Sequence, residues 1–174
     1  MNLLKKIRFI ILVILLSHSN LLADVPYFLD FKYILNQSDA GKKAQVFLKN
    51  KLDKGIKQLQ SKEKVILEEE KKLIAQKKII TPEEYKKKVN DLRNKVSSLQ
   101  KNRNKLLEEV AIQRKKARQE LLDNLNPIIK NYMKEKKIRM VVDKKSLLLA
   151  DENLDITKEI ILVLNKKLKE IKLN

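Results

Sequence analysis

The chain has 174 residues, with 40 Lys and Arg against 22 Asp and Glu, a formal net charge of +18, and no cysteine. Without cysteine there are no disulfides, thiol nucleophiles or Cys-ligated metal sites, and one histidine, His18, is too few for a His-based metal cluster. The positive excess favours anionic partners and raises their encounter rate, and salt should weaken both effects.

Lys5, Lys6 and Arg8 precede an apolar run from Phe9 to Leu16, followed by polar Ser17 to Asn20 and then Leu21, Leu22 and Ala23. That is the order of a secretory signal peptide, so residues 1–23 are read as one, with cleavage expected after Ala23. The apolar run is too short to span a bilayer as a stable helix. A retained N-terminal anchor is the alternative. Cleavage removes His18, and with it the last side chain suited to acting as a general base near neutral pH.

Val25 to Phe31 reads as a strand with Pro26 confined to its start, Lys32 to Gln37 as a short helix, and Ser38 to Gly41 as a cap and break. The long basic stretch 42–137 follows. Leu52, Leu59, Ile66, Leu73 and Ile80 recur every seven residues, and Tyr85, Leu92, Leu99 and Leu106 do the same beyond Thr81-Pro82. Val89, Val96, Val110 and Ala117 occupy the alternate seam. Counting outward from the turn pairs Ile80 with Tyr85, Leu73 with Leu92, Ile66 with Leu99 and Leu59 with Leu106, which predicts an antiparallel coiled-coil hairpin. Such a rod has no interior for a catalytic pocket.

The turn carries its own signature. Thr81 is placed to cap the second helix, Pro82 to take its first position, and Glu84 to complete a capping box, with Lys86, Lys87 and Lys88 just behind. The other core position of the first helix falls on Gly55, Lys62, Glu69 and Gln76, or in the alternative phase on Ile56, Glu63, Glu70 and Lys77. A half-apolar seam buries little area, so the arms should be helical yet compliant. Residues 42–137 hold 28 Lys and Arg against 13 Asp and Glu, so the rod carries nearly all of the charge.

Beyond the rod, Ile138, Met140 and Val142 alternate with Arg139, Val141 and Asp143, and Leu147 to Leu149 follows a turn at Lys144-Lys145. Both read as strands. Asp155 is expected to cap a last helix from Ile156 to about Ile171, with Ile160, Ile161, Leu164 and Leu168 on its apolar side. Residues 24–41 and 138–174 thus form a nearly neutral body carrying the 42–137 arm. Three short strands and one helix are too few for an independent core. Self-association through the strand residues Phe28, Leu29, Met140, Val141 and Val142 is therefore expected.

No pair of carboxylates or lysines lies in an apolar stretch that would tune a pKa, and Glu68 to Glu70 reads as solvated helix surface. There is no glycine-rich phosphate loop. The expectation is a protein that is not an enzyme and needs no cofactor or metal.

The segments Phe28-Leu29-Asp30, Ile34-Leu35-Asn36, Ser38 to Lys42, Met140 to Asp143 and Asp155-Ile156-Thr157, in this order around a long basic hairpin, resemble the Skp/OmpH periplasmic chaperones. The resemblance implies a mostly α chain with a small β body, assembled as a jellyfish-shaped homotrimer whose helical arms enclose a cavity. It implies ATP-independent holding of unfolded outer-membrane β-barrel proteins in the periplasm, which prevents their aggregation before membrane insertion. Contact with anionic lipid or lipopolysaccharide would map onto Lys77, Lys78, Lys86, Lys87 and Lys88. Phe47, Val65, Leu67 and Val110 are candidate apolar client contacts, with ordinary arm or body packing the reading preferred for each. Two other readings compete: a structural bridge in the envelope, and a basic nucleic-acid-binding coiled coil. The signal peptide and the lack of a base-reading module argue against specific nucleic-acid binding.

Overall fold

The structure, a computed structural model, describes residues 25–173. The signal peptide expected at 1–23 lies outside the described residues. Strand β1 (Tyr27–Leu29) leads into a short helix α1 (Phe31–Gln37). Two long helices follow, α2 (Asp39–Gln76) and α3 (Pro82–Lys136), then strand β2 (Val141–Asp143) and helix α4 (Thr157–Lys167). The first strand is shorter than its apolar run, because Asp30 caps α1 by accepting a 2.7 Å hydrogen bond from the Tyr33 N–H.

Ser38 ends one helix and starts the next. Its N–H donates to the Ile34 carbonyl at 3.0 Å, while its hydroxyl accepts from the Gly41 N–H at 3.2 Å. The cap and break expected over Ser38 to Gly41 is therefore confined to Ser38, since α2 begins at Asp39 and runs through Gly41. Gly41 is needed for closeness instead: a Cβ there would stand 2.0 Å from the Leu35 carbonyl oxygen. That absence of a side chain lets α1 fold back against the start of α2.

The 38 residues of α2 correspond to about 57 Å at 1.5 Å per residue. The hairpin then turns through Lys77 to Ile80, with Ile80 donating to the Gln76 carbonyl at 3.1 Å. Thr81 caps α3 as expected: its hydroxyl accepts from the Glu84 N–H at 3.2 Å, and the Glu84 carboxylate accepts from the Thr81 N–H. Pro82 takes the first helical position. The seven-residue seam is buried or half-buried from Leu52 through Ile80 and from Tyr85 through Leu106. Val96, expected in the alternate seam, is instead 51% exposed.

Near the other end of α3, Pro127 removes one helical N–H and leaves the Asp123 carbonyl without its usual partner. Leu125 and Ile128 on either side are each 2% exposed, so this stretch is fixed by burial rather than by an unbroken ladder. The helix ends at Lys137 in the left-handed conformation, φ 56°, after which the Ile138 N–H reaches back to the Met133 carbonyl at 2.8 Å.

β1 and β2 pair in parallel, Tyr27 opposite Val141, Phe28 opposite Val142 and Leu29 opposite Asp143. On its other side Phe28 bridges to Asp155, and its carbonyl accepts from the Ile156 N–H at 2.9 Å. β1 is therefore flanked on both sides, while the outer edge of β2 has no strand partner among the described residues. The strand expected at Leu147 to Leu149 does not form. Asp143 accepts from the Lys145 N–H and draws the chain into a 3₁₀ turn, Lys144–Ser146, and the leucines that follow pair with no strand among the described residues.

One core unites these pieces: Leu29 and Ile34, Ala40 and Ala44 of α2, Leu121, Leu125 and Ile128 of α3, and Ile156, Ile160 and Leu164 around α4. The strands and last helix do not build it alone, since the root of the hairpin supplies much of it. α4 stops at Lys167, short of the expected Ile171, yet Ile171 is buried in the same core from an extended segment.

Candidate functional site

The hairpin and the outer edge of β2 are the surfaces on which the expected contacts fall. Along the arm, polar residues at seam positions are paired across it. Lys95 lies 2.5 Å from a Glu69 carboxylate oxygen, Arg103 is 3.9 Å from Glu63, and Lys88 donates to the Gln76 side chain at 3.1 Å. Members of both alternative phases are thus engaged. Each pair is solvent-exposed and contributes little, so the seam is held largely by its single apolar row.

At the tip, Lys77, Lys78, Lys86, Lys87 and Lys88 are all exposed. Lys77 sits over the Tyr85 ring, 5.8 Å from its centroid, and Lys88 is held by Gln76. Ile79 stands 81% exposed among these lysines. It was not singled out from the sequence. The seven-residue count in fact assigns only Ile80 to the seam, and that arithmetic was the available signal.

Of the candidate apolar contacts, Phe47, Val65 and Leu67 are exposed, at 38%, 53% and 51%. Val110 is not available: at 5% exposure it packs inside the hairpin, as its seam position requires. Ile74, Leu107 and Ile112 join the exposed set, each more than half exposed. They lie off the strict heptad positions, which is why the periodicity passed over them.

Among the candidate self-association residues, Phe28 and Leu29 are buried within the chain at 3% and 5%. Val141 and Val142 are half-buried, and Met140 is 57% exposed. Leu148 and Leu149, in the loop that replaces the third strand, project fully into solvent at 101% and 95%. Of these residues the structure leaves Met140, just before β2, and the loop leucines exposed and buries those of β1, while Val25 and Leu162 are further exposed apolar groups of the body.

The body is clipped together by polar contacts. Thr157 donates its N–H to Asp155 Oδ1 at 2.9 Å, its hydroxyl also bonds that oxygen, and the hydroxyl accepts from the Asp30 N–H at 2.9 Å. Asp155 therefore serves the start of α4 as expected, although the residue next to the helix is Ile156. Lys144 lies 3.2 Å from Asp155 Oδ2 and over the Phe28 ring. Burial works to raise the Asp155 carboxyl, but the Thr157 hydrogen bonds and the Lys144 ammonium outweigh it and hold the group below the usual carboxylate range. Burial, then the nearby Glu159 and Tyr27, pushes the Tyr132 phenol up, so it stays neutral at ordinary pH. Asp155 fastens the body, and Tyr132 packs partly buried against its core.

No curated protein sequence matches the chain. A crystal structure of a candidate OmpH-like outer membrane chaperone from Caulobacter crescentus superposes with a TM-score of 0.80 at 21% identity, over 86% of this chain and 90% of that one. The likeness is one of fold: a mostly helical chain with a long hairpin on a small β-containing body, the architecture expected of a Skp-like protein. The family model described as "Outer membrane protein (OmpH-like)" matches residues 27–164. The chain belongs to the OmpH-like outer membrane protein family.

Proposed function

We propose that this protein is an ATP-independent holdase of the periplasm that encloses unfolded outer-membrane β-barrel proteins between helical arms before their insertion. Its action is non-catalytic. The observation that carries the reading is the hairpin itself: a basic rod, weakly zipped, with Val65, Leu67, Ile74 and Ile112 exposed along it. Many weak apolar contacts hold a client without gripping it, and a client kept between arms experiences a high effective concentration of them.

In this reading residues 1–23 direct export and are removed, residues 24–41 and 138–174 form the assembling body, and residues 42–137 form the arm. Self-association is supported by the edge of β2, which has no strand partner among the described residues, and by the exposed Met140, Leu148 and Leu149, while the number three is carried over from the Skp/OmpH resemblance. The tip lysines, Lys77, Lys78 and Lys86 to Lys88, are the proposed contacts for acidic clients and for anionic lipid or lipopolysaccharide.

The decisive experiment is co-purification of the mature protein from envelope extracts with identification of what is bound, alongside suppression of aggregation of a urea-unfolded outer-membrane barrel. Enrichment of unfolded barrels with suppressed light scattering is expected. Capture of folded envelope components alone would replace the chaperone by a structural bridge.

A further inference from the structure

At the root of the arm, away from the tip and from β2, α1, α2 and α3 leave an apolar groove of about 640 Å³. Its floor is Leu35, Ala44, Leu48, Leu52 and Leu121. The volume falls within the range of small-molecule sites, roughly 300–1,000 Å³. Three cations border it, Lys49, Arg114 and Arg118, and the lining includes no carboxylate. None of the three is ion-paired among the described residues, whereas Lys51 and Lys43 on the same helix pair with Glu109 and Glu170. Arg118 is also oriented, its guanidinium lying 5.7 Å from the centroid of the Phe31 ring.

The polar lining is equally informative. Asn36 and Gln45 are the two carboxamides in the groove, and they bond each other at 2.7 Å. The backbone of α2 and α3 along the groove is paired within those helices, and only the last carbonyls of α1, at Leu35 and Asn36, lie beyond such a ladder. A peptide entering here would bring amide N–H and C=O groups for which the floor offers few partners, and burying them unpaired is unfavourable. A methylene chain brings none. We propose that this groove binds a single-chain anionic amphiphile, such as a free fatty acid, with its tail along Leu48, Leu52 and Leu121 and its carboxylate between Arg114 and Arg118. The site is independent of the holdase reading: either stands if the other fails.

The test uses the purified mature protein and the fluorescent fatty acid dansyl-undecanoate, with decanoate and decanol as competitors. Saturable binding near one per chain is expected, with decanoate displacing the dye and decanol at least about tenfold weaker, since the charge-assisted contacts are missing. Arg114→Gln with Arg118→Gln should weaken the dye about tenfold for the same reason. Val46→Asp, which sets a carboxylate in the lining at a 59% exposed position, should weaken it with an unchanged melting temperature. Converting Lys86, Lys87 and Lys88 to Gln should leave it intact. The proposal is overturned by any of four results: no saturable binding, equal competition by decanol, an equal loss in the tip variant, or displacement by an acidic peptide as effective as by decanoate.

Discussion

Gly41 stands so close to Leu35 that a methyl group on it would meet the Leu35 carbonyl oxygen at 2.0 Å, and that oxygen belongs to backbone that cannot swing aside. The other glycine, Gly55, faces a softer neighbour, since a Cβ there would come 2.5 Å from Leu106 Cδ2, the end of a flexible side chain. Gly41→Ala should therefore destabilise by roughly 2–4 kcal/mol, because α1 must lift off α2. Gly55→Ala should be close to neutral, the propensity gain of about 1 kcal/mol offsetting the displacement of Leu106. Urea midpoints of the two variants decide the matter, and equal effects would refute it.

The Asp155 carboxyl is held below its ordinary range in the folded chain. A depressed folded pKa means that the folded state binds fewer protons than the unfolded one. The resulting stability is complete above the unfolded value of about 3.9 and disappears as pH falls through the folded one. Asp155→Asn should thus be less stable than the parent at pH 7, with the gap closing below about pH 4. Thermal melts across pH 2–7 measure it. A gap that stays constant would show that the carboxylate charge has no part.

Lys137 ends α3 with φ 56°, the left-handed region where a side chain costs roughly 1 kcal/mol and glycine costs less. Lys137→Gly should stabilise by about 0.5–1 kcal/mol, read as a shift of the denaturation midpoint at unchanged slope. A loss of stability would mean that the lysine side chain makes a contact worth more than the strain.

The tip lysines should act on encounter more than on retention. Raising salt to about 0.5 M should slow association with an acidic unfolded client several-fold while dissociation changes little, because apolar contacts are not screened. Lys86→Gln, Lys87→Gln and Lys88→Gln together should reproduce part of the slowing in stopped-flow capture. Wild-type capture by that variant would remove the tip from the mechanism.

The hairpin was legible because its signals are local and redundant. Seven-residue spacing named its seam from Leu52 to Leu106, and Thr81, Pro82 and Glu84 marked its turn within four residues. The body was legible in outline only. β1 and β2 are three residues each, too short for alternation to fix their limits, and their pairing spans the whole arm. Leu147 to Leu149 carries a strand's composition, but a strand needs an edge, which the sequence does not display. The exposure of Ile79 and of Leu148, the latter read as part of a strand, was not legible because an apolar side chain in a sequence is first taken as core, and only the packing says which ones are left over.

Tyr27 lies opposite Val141, and everything between them belongs to the hairpin or its roots. Closing a loop of that length from a random chain is entropically unfavourable, and parallel pairing gives little in return per residue. Helices form from near neighbours and so come first. As the two arms zip from Thr81 toward their roots, the register that pairs Leu59 with Leu106 brings the start of α2 beside the stretch around Asn126, and the effective loop between β1 and β2 shrinks to α1 on one side and the last turns of α3 on the other. The arm is therefore also the scaffold on which its own base is assembled. A chain still being synthesised can build most of the rod, but it cannot pair β1 until residues 141–143 have followed.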